Sequence, residues 1–148
     1  MNCPTCGVHA LEHPASECLD TWVATAVMVW EKRLEGHDAE RYVAPVYAWY
    51  DANGCRVAFC QDYINAKAWE PSKDIAAAWQ VVERFKFYKW LSQSASGLWG
   101  TGPMLWTCAF AAPTNFRATA DTVTLAIVRA ALLTTQPSPL PSPKLNAR

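Results

Sequence analysis

The sequence has no surplus of either charge, since thirteen basic residues face thirteen acidic ones. That balance argues against a general nucleic-acid binder, which needs a basic face to displace counterions from phosphates. The one local concentration, Arg84, Lys86 and Lys89, reads as a solvated helix end. No uncharged apolar run approaches the ~20 residues that span a bilayer. The N-terminus also lacks the basic region followed by an apolar run that marks an export signal. A soluble, intracellular protein in a reducing compartment is expected. In such a reducing compartment the six cysteines read as thiols or metal ligands before disulfides.

Catalytic groups are scarce as well. His9, His13 and His37 are the three histidines, and no Ser or Cys motif is placed as their nucleophile. Gly97, Gly100 and Gly102 follow a Ser-rich stretch with no helix promptly after them, so no phosphate cradle is formed. Asp20, Asp62, Asp74 and Asp121 read as helix-end or loop carboxylates, not as paired acids. The expectation is a protein that is not an enzyme.

What is abundant is packing material: 51% hydrophobic residues and eight Trp, enough for one domain with a real core. Its clearest element is an amphipathic helix over residues 72–85, with Ser72 as cap and Asp74 in the first turn. Ile75, Ala78, Trp79, Val82 and Phe85 share its expected inner face. A first helix is expected over residues 17–34, with Leu19, Val23, Ala26, Val27, Trp30 and Leu34 inward and Gly36 as its stop. Glu31, Lys32, Arg33 and Glu35 would be its solvated end.

Two strands follow, residues 46–50 and 56–60, joined by Asn53-Gly54, a type I′ hairpin signal. Residues 61–71 read as an irregular arm. The aromatic run 85–91 reads as a strand, 92–102 as a Ser/Gly-rich loop, 104–111 as the returning strand, and 113–118 as a lead into a third helix over 121–134. A faint repeat supports this order. At an offset of 47 positions Val81 meets Val128, Phe85 meets Leu132 and Ala78 meets Leu125.

The fold class is therefore α+β, a layered α/β sandwich of order α-β-β-α-β-β-α, with antiparallel hairpins covered by helices. Residues 1–18 form a separate Cys/His-rich segment and 19–134 the layered domain. Residues 135–148 form a tail whose four alternating prolines favour an extended or disordered end.

Three blocks carry a family resemblance. They are Asp74-Ile75-Ala76-Ala77-Ala78-Trp79-Gln80-Val81-Val82-Glu83; Leu19-Asp20-Thr21-Trp22-Val23-Ala24 through Val27-Met28-Val29-Trp30; and Ala120-Asp121-Thr122 through Leu125-Ala126-Ile127-Val128-Arg129-Ala130-Ala131-Leu132-Leu133. In this order they resemble the phage ABA sandwich domain, a small family of bacteriophage and prophage proteins. The resemblance implies a phage origin and a compact α+β sandwich, and it brings no catalytic residues with it.

The strongest chemical signal is Cys3-Pro4-Thr5-Cys6-Gly7. Two Cys two residues apart, with Pro and Gly turning the backbone, are half of a zinc knuckle. His9, His13 and Cys18 are the nearest further ligands, and Cys3, Cys6, His13 and Cys18 would close a structural zinc site. The other reading is a pair of reduced surface thiols. Cys55, Cys60 and Cys108 fall in expected strands and read as buried small hydrophobes.

The second signal is aromatic density in the strands, above all Tyr47, Trp49, Trp90 and Trp106. If helices cover one face only, an open aromatic face could bind a ligand or join two copies into a homo-oligomer. If helices cover both faces, the rings are core. The expected function is a phage-derived, non-enzymatic binding protein that sequesters a small host ligand, such as a nucleotide signal, on those four aromatics. The alternative is a zinc-knuckle adaptor that docks on a host or phage protein.

Overall fold

Ser16 ends the irregular N-terminal segment by accepting a hydrogen bond from the Leu19 amide, which caps the first helix, α1 (Glu17–Ala26). The computed structural model describes residues 1–36, 45–63, 66–85, 88–111 and 115–135. After α1 come β1 (Glu31–Gly36), β2 (Val46–Tyr50), β3 (Arg56–Phe59), α2 (Ile75–Glu83), β4 (Tyr88–Ala95), β5 (Met104–Ala111), β6 (Asn115–Ala120) and α3 (Val123–Leu133). Two antiparallel three-stranded sheets, ordered β1-β2-β3 and β4-β5-β6, pack with three helices in a mixed α+β fold. The expected fold class is thus found, with a third strand added to each hairpin.

Both added strands correct the sequence reading. Helix α1 stops at Ala26 instead of running to Leu34: the Val27 and Met28 amides both turn back to the Val23 carbonyl, and Val29 takes a left-handed φ of 57°. Residues Glu31 to Glu35, expected as a solvated helix end, form β1 on the edge of the first sheet. There Lys32 lies over the Tyr47 ring and Arg33 over the Tyr50 ring. Charge suits an edge strand because it discourages further pairing. At the other end β6 replaces the expected lead into α3. Phe116, Ala118 and Ala120 alternate with Arg117 and Thr119, and this alternation pairs β6 with β5.

Helix α2 is capped by Asp74, whose carboxylate accepts from the Ala76 amide; Ser72 lies before the helix and does not cap it. Its buried face is also rotated from the expected one. Ala77, Ala78, Val81 and Val82 are inside, while Ile75 and Trp79 are half exposed. Small side chains win the inner face because α2 packs on α3, where bulk would hold the two helices apart. In the first hairpin Gly54 has φ +76° but Asn53 stays out of the left-handed region, so no type I′ turn forms. The Asp51 carboxylate instead accepts from the Asn53 and Cys55 amides and organises the loop.

Strand β4 pairs with β5 in unbroken register from Tyr88↔Ala111 to Ala95↔Met104, which shortens the expected 92–102 loop. Helix α3 is the centre of the molecule. Thr124 to Val128 and Ala130 to Leu132 are all buried, against β5 and β6 on one side and α1 and α2 on the other. Cys108, Phe110, Ala118 and Ala120 meet it from the second sheet, and Phe85 stacks on Phe110 with centroids 4.5 Å apart. The chain thus holds two β-β-β-α units in succession. The residues matched at the 47-residue offset (Val81 and Val128, Phe85 and Leu132, Ala78 and Leu125) are buried in both. The proline-rich tail from residue 136 onward, His37 and Lys86 lie outside the described residues.

Candidate metal centre and a carboxylate-lined cavity

The first ten residues fold back on themselves. The Cys3 amide donates to the Val8 carbonyl at 2.9 Å, the Gly7 amide to the Cys3 carbonyl at 2.9 Å, and the Ala10 amide to the Met1 carbonyl at 3.1 Å. Asn2 and His9 form an antiparallel bridge at the base of this turn. Gly7, at φ +77°, supplies the left-handed residue that brings the chain around after Cys6. The turn leaves Cys3 and Cys6 side by side, His13 returns beneath them, and Cys18 comes in on the first turn of α1.

The ligand atoms of Cys3, Cys6, His13 and Cys18 all lie within 4.8 Å of one another. Cys3 Sγ is 3.4 Å from Cys18 Sγ, and Cys6 Sγ is 3.1 Å from His13 Nε2. Tetrahedral zinc with bonds of ~2.3 Å to sulfur places neighbouring sulfurs ~3.8 Å apart, so the four donors sit close to the required spacing. His13 Nδ1 is 2.9 Å from the Pro14 carbonyl, which can only accept. Nδ1 therefore donates there, which in the neutral ring leaves the Nε2 lone pair facing Cys6.

Burial raises the Cys3 thiol, but the Cys6 and Thr5 amides and the neighbouring thiols outweigh it and bring the group down to about 6. Burial and the adjacent Cys3 and Cys6 push Cys18 up to about 12. Crowded thiols of this kind resist losing all their protons together unless a cation joins them. His9 is outside the group, accepting from the Leu11 amide at Nδ1. Cys55 is exposed in the loop before β3, a correction to its expected burial, since Asp51 holds that loop away from the core. Cys60 is half-buried and Cys108 is buried, with burial pushing Cys108 up to about 12.

The four aromatics are not brought together. Tyr47 and Trp49 lie on β2 of the first sheet, and Trp90 and Trp106 lie on β4 and β5 of the second. Tyr47 is partly exposed beneath Lys32, and Trp90 lies beneath the Arg117 guanidinium, 5.0 Å from its ring centroid. Trp106 packs against the core. Trp49 is buried and, alone of the four, lines a cavity of about 240 Å³ between α1, the first sheet and the arm after β3.

Asp20 lies in the first turn of α1, the helix end where a carboxylate was expected, but on the inner face, 4% exposed, and it forms part of the cavity wall. Its Oδ1 accepts from the Ser72 amide at 2.8 Å, and the Ser72 carbonyl accepts from Thr124 Oγ1 at 2.9 Å. A buried polar chain thus joins α1, the turn before α2, and α3. Asp20 Oδ2 has no hydrogen-bond partner among the described residues. Burial pushes this carboxyl up to about 6 against the pull of Ser72. The signal was present in the sequence, because Asp20 shares a helical face with Val23, Ala24 and Val27.

The sequence model of the phage ABA sandwich domain matches residues 21–132. Among solved structures the chain is similar to the 2.0 Å crystal structure of a phage protein from Bacillus cereus. The two share 17% identity over 80% of this chain and 84% of that one, with a TM-score of 0.48. No curated protein matches the chain.

Proposed function

The chain belongs to the phage ABA sandwich family, and from that premise we propose that it is a non-catalytic binding protein whose N-terminal segment is fastened by structural zinc. The observation that carries the zinc is the convergence of Cys3, Cys6, His13 and Cys18 within 4.8 Å. Three soft thiolates and one imidazole suit Zn²⁺ better than harder oxygen-loving ions. Four protein donors also close the coordination sphere, so the site has the form of a staple and no open position for substrate.

The staple faces inward. Cys3 and Ala10 join the core, His13 is buried, and Arg129 of α3 donates two hydrogen bonds, from Nε and Nη2, to the His13 carbonyl. This supports a role in fixing residues 1–18 to the domain more than the adaptor reading, in which the knuckle would reach outward to a partner. The binding role then falls to the cavity beside Trp49, and a small molecule from the host cytoplasm is the fitting partner. Among the described residues no helix is long and apolar enough to cross a membrane.

Elemental analysis of protein purified without chelator should give about one zinc per chain. Cys6→Ser, at the exposed corner of the site, should lower that content, and chelation should free residues 1–18 to protease. Metal-free protein with unchanged thermal stability and protease resistance would refute the staple. Turnover in a broad hydrolase screen, abolished by substitution of a cavity residue, would refute the non-catalytic reading.

A further inference from the structure

A sheet edge exposes a row of N–H and C=O groups that will pair with another strand unless something guards them. Three of the four sheet edges here are guarded. Strand β1 is charged, and β3 is met by the following arm at the Phe59–Ala68 bridge. Strand β6 is six residues long, bears the exposed Arg117 and leads straight into α3. Strand β4 has none of these devices. It runs eight residues in unbroken register, contains no proline, and its one charge, Lys89, stands near its start. Among the described residues no strand pairs with its outer side.

Uncovered apolar surface lies beside this edge. Leu91, Gln93 and Ala95 of β4 are level with Cys108, Trp106 and Met104 of β5, so they share the face that meets the helices. Helix α3 lies over β5 and β6. Next to β4 there remains a cavity of about 110 Å³, floored by Val82, Cys108, Phe110 and Ile127 and flanked by Trp79 and Leu91. Trp79 is 51% exposed, Leu91 39% and Met104 49%, while Leu98, at the far end of the hairpin, is 79% exposed.

The partner that fits such an edge is the same edge turned around. A two-fold axis sets residue i of one copy against j of the other, and j against i. With the axis at Gln93, Leu91 falls opposite Ala95 of the second copy and Ser92 opposite its Ser94. Apolar side chains then stay on the helix-facing side and small hydroxyls on the other. The two Lys89 side chains stand at opposite ends of the paired strands, roughly 27 Å apart, so no like charges meet. Leu98 of each copy reaches the start of the other's β4, beside the mouth of its cavity. The strand edge and the exposed apolar side chains offer on the order of 600–800 Å² per copy, about what a specific dimer buries.

We propose that the chain forms a two-fold dimer through β4, in which the two second sheets join into one of six strands and Leu98 of each copy closes the cavity beside Trp79 and Leu91 of the other. The dimer depends neither on the zinc nor on the cavity beside Trp49.

Sedimentation equilibrium of the full chain tests it. At about 100 µM the mass should be twice that of one chain, with a Kd below about 20 µM. Gln93→Lys and Gln93→Glu each set like charges face to face across the axis, at a side chain exposed in the single chain, and should weaken the dimer by about fivefold or more. Mixed in equal amounts, the two variants should associate again as a heterodimer, because opposite charges then meet. Leu98→Ser should weaken the dimer by about tenfold, and all three variants should keep the wild-type circular dichroism spectrum.

A folded monomer at about 100 µM overturns the proposal and leaves the edge to another occupant, residues 136–148 of the same chain or a foreign strand. A dimer that neither charge at position 93 weakens forms on another surface and overturns it too. Two weakened variants that fail to recover on mixing would overturn the two-fold pairing at Gln93.

Discussion

The two β-β-β-α units share an order of elements and differ in what they do. In the second unit β4 and β5 pair without a break, and the two strands together carry one charged residue, Lys89. Its helix, α3, is buried nearly all round. In the first unit both strand pairings shift register, between Leu34 and Gly36 and between Trp49 and Tyr50. Its edge strand β1 is mostly charged, and α2 buries one face only. Neighbouring Ala48 and Trp49 are both buried, so β2 is covered on both faces at that point. In the second sheet the consecutive Cys108, Ala109 and Phe110 of β5 are buried too, while Arg117 and Thr119 of the edge strand β6 are exposed. A regular, neutral unit makes the core, and an irregular, charged unit bends around a cavity. The same order of elements thus serves as packed scaffold in one unit and as part of a cavity wall in the other.

The largest test of this difference uses one substitution in both helices. Ile127 on α3 is 0% exposed and Ile75 on α2 is 51% exposed. Ile127→Ala should cost about 2–5 kcal/mol, through lost transfer energy and the cavity left in a tightly packed centre. Ile75→Ala should cost less than about 1 kcal/mol, because half of the side chain already faces water and Ala favours the helix. Urea unfolding monitored by circular dichroism measures both. Equal costs would mean that α2 is as central as α3 and would erase the contrast.

Thr124→Val probes the seam between the units at intermediate size. It keeps the shape and removes the hydroxyl that donates to the Ser72 carbonyl, the polar link between α3 and the turn before α2. The expected cost is about 1–3 kcal/mol, since a buried acceptor is left without its donor. A neutral result would show that the Asp20–Ser72–Thr124 chain does not hold the helices together.

What the sequence showed follows the same division. Regular pieces were legible: the returning strand 104–111 coincides with β5, and the helices and their offset of 47 were found because their period is plain. The Cys/His cluster was legible because two Cys at that spacing, turned by Pro and Gly, point to one centre; only folding could choose His13 over His9. Strand β1 was hidden because Glu31 to Glu35 is as compatible with a helix end as with an edge strand, and the tertiary partner β2 decides. The grouping of Tyr47 and Trp49 with Trp90 and Trp106 was hidden for a different reason. Aromatic density says how much surface is to be buried, and not which sheet buries it. The burial of Asp20, by contrast, is legible, since it is an acid within an apolar stripe.

The smallest expected effects come from the two non-glycine residues held at positive φ among the described residues, one on each side of the comparison. Val29, φ 57°, joins α1 to the irregular first sheet; Trp99, φ 60°, sits at the tip of the regular β4–β5 hairpin, 92% exposed. A left-handed conformation costs an L-residue about 1–2 kcal/mol, and more for a β-branched side chain such as Val. Glycine removes that strain but enlarges the freedom lost on folding by about 0.4–1 kcal/mol. Val29→Gly should therefore stabilise the protein by up to about 1 kcal/mol, and Trp99→Gly by less, within about 0.5 kcal/mol of zero. Calorimetric midpoints of the two variants decide it. If Trp99→Gly were the more costly change, its indole would have to make contacts that matter to the fold, and the hairpin tip would join the first sheet as a region shaped for more than packing.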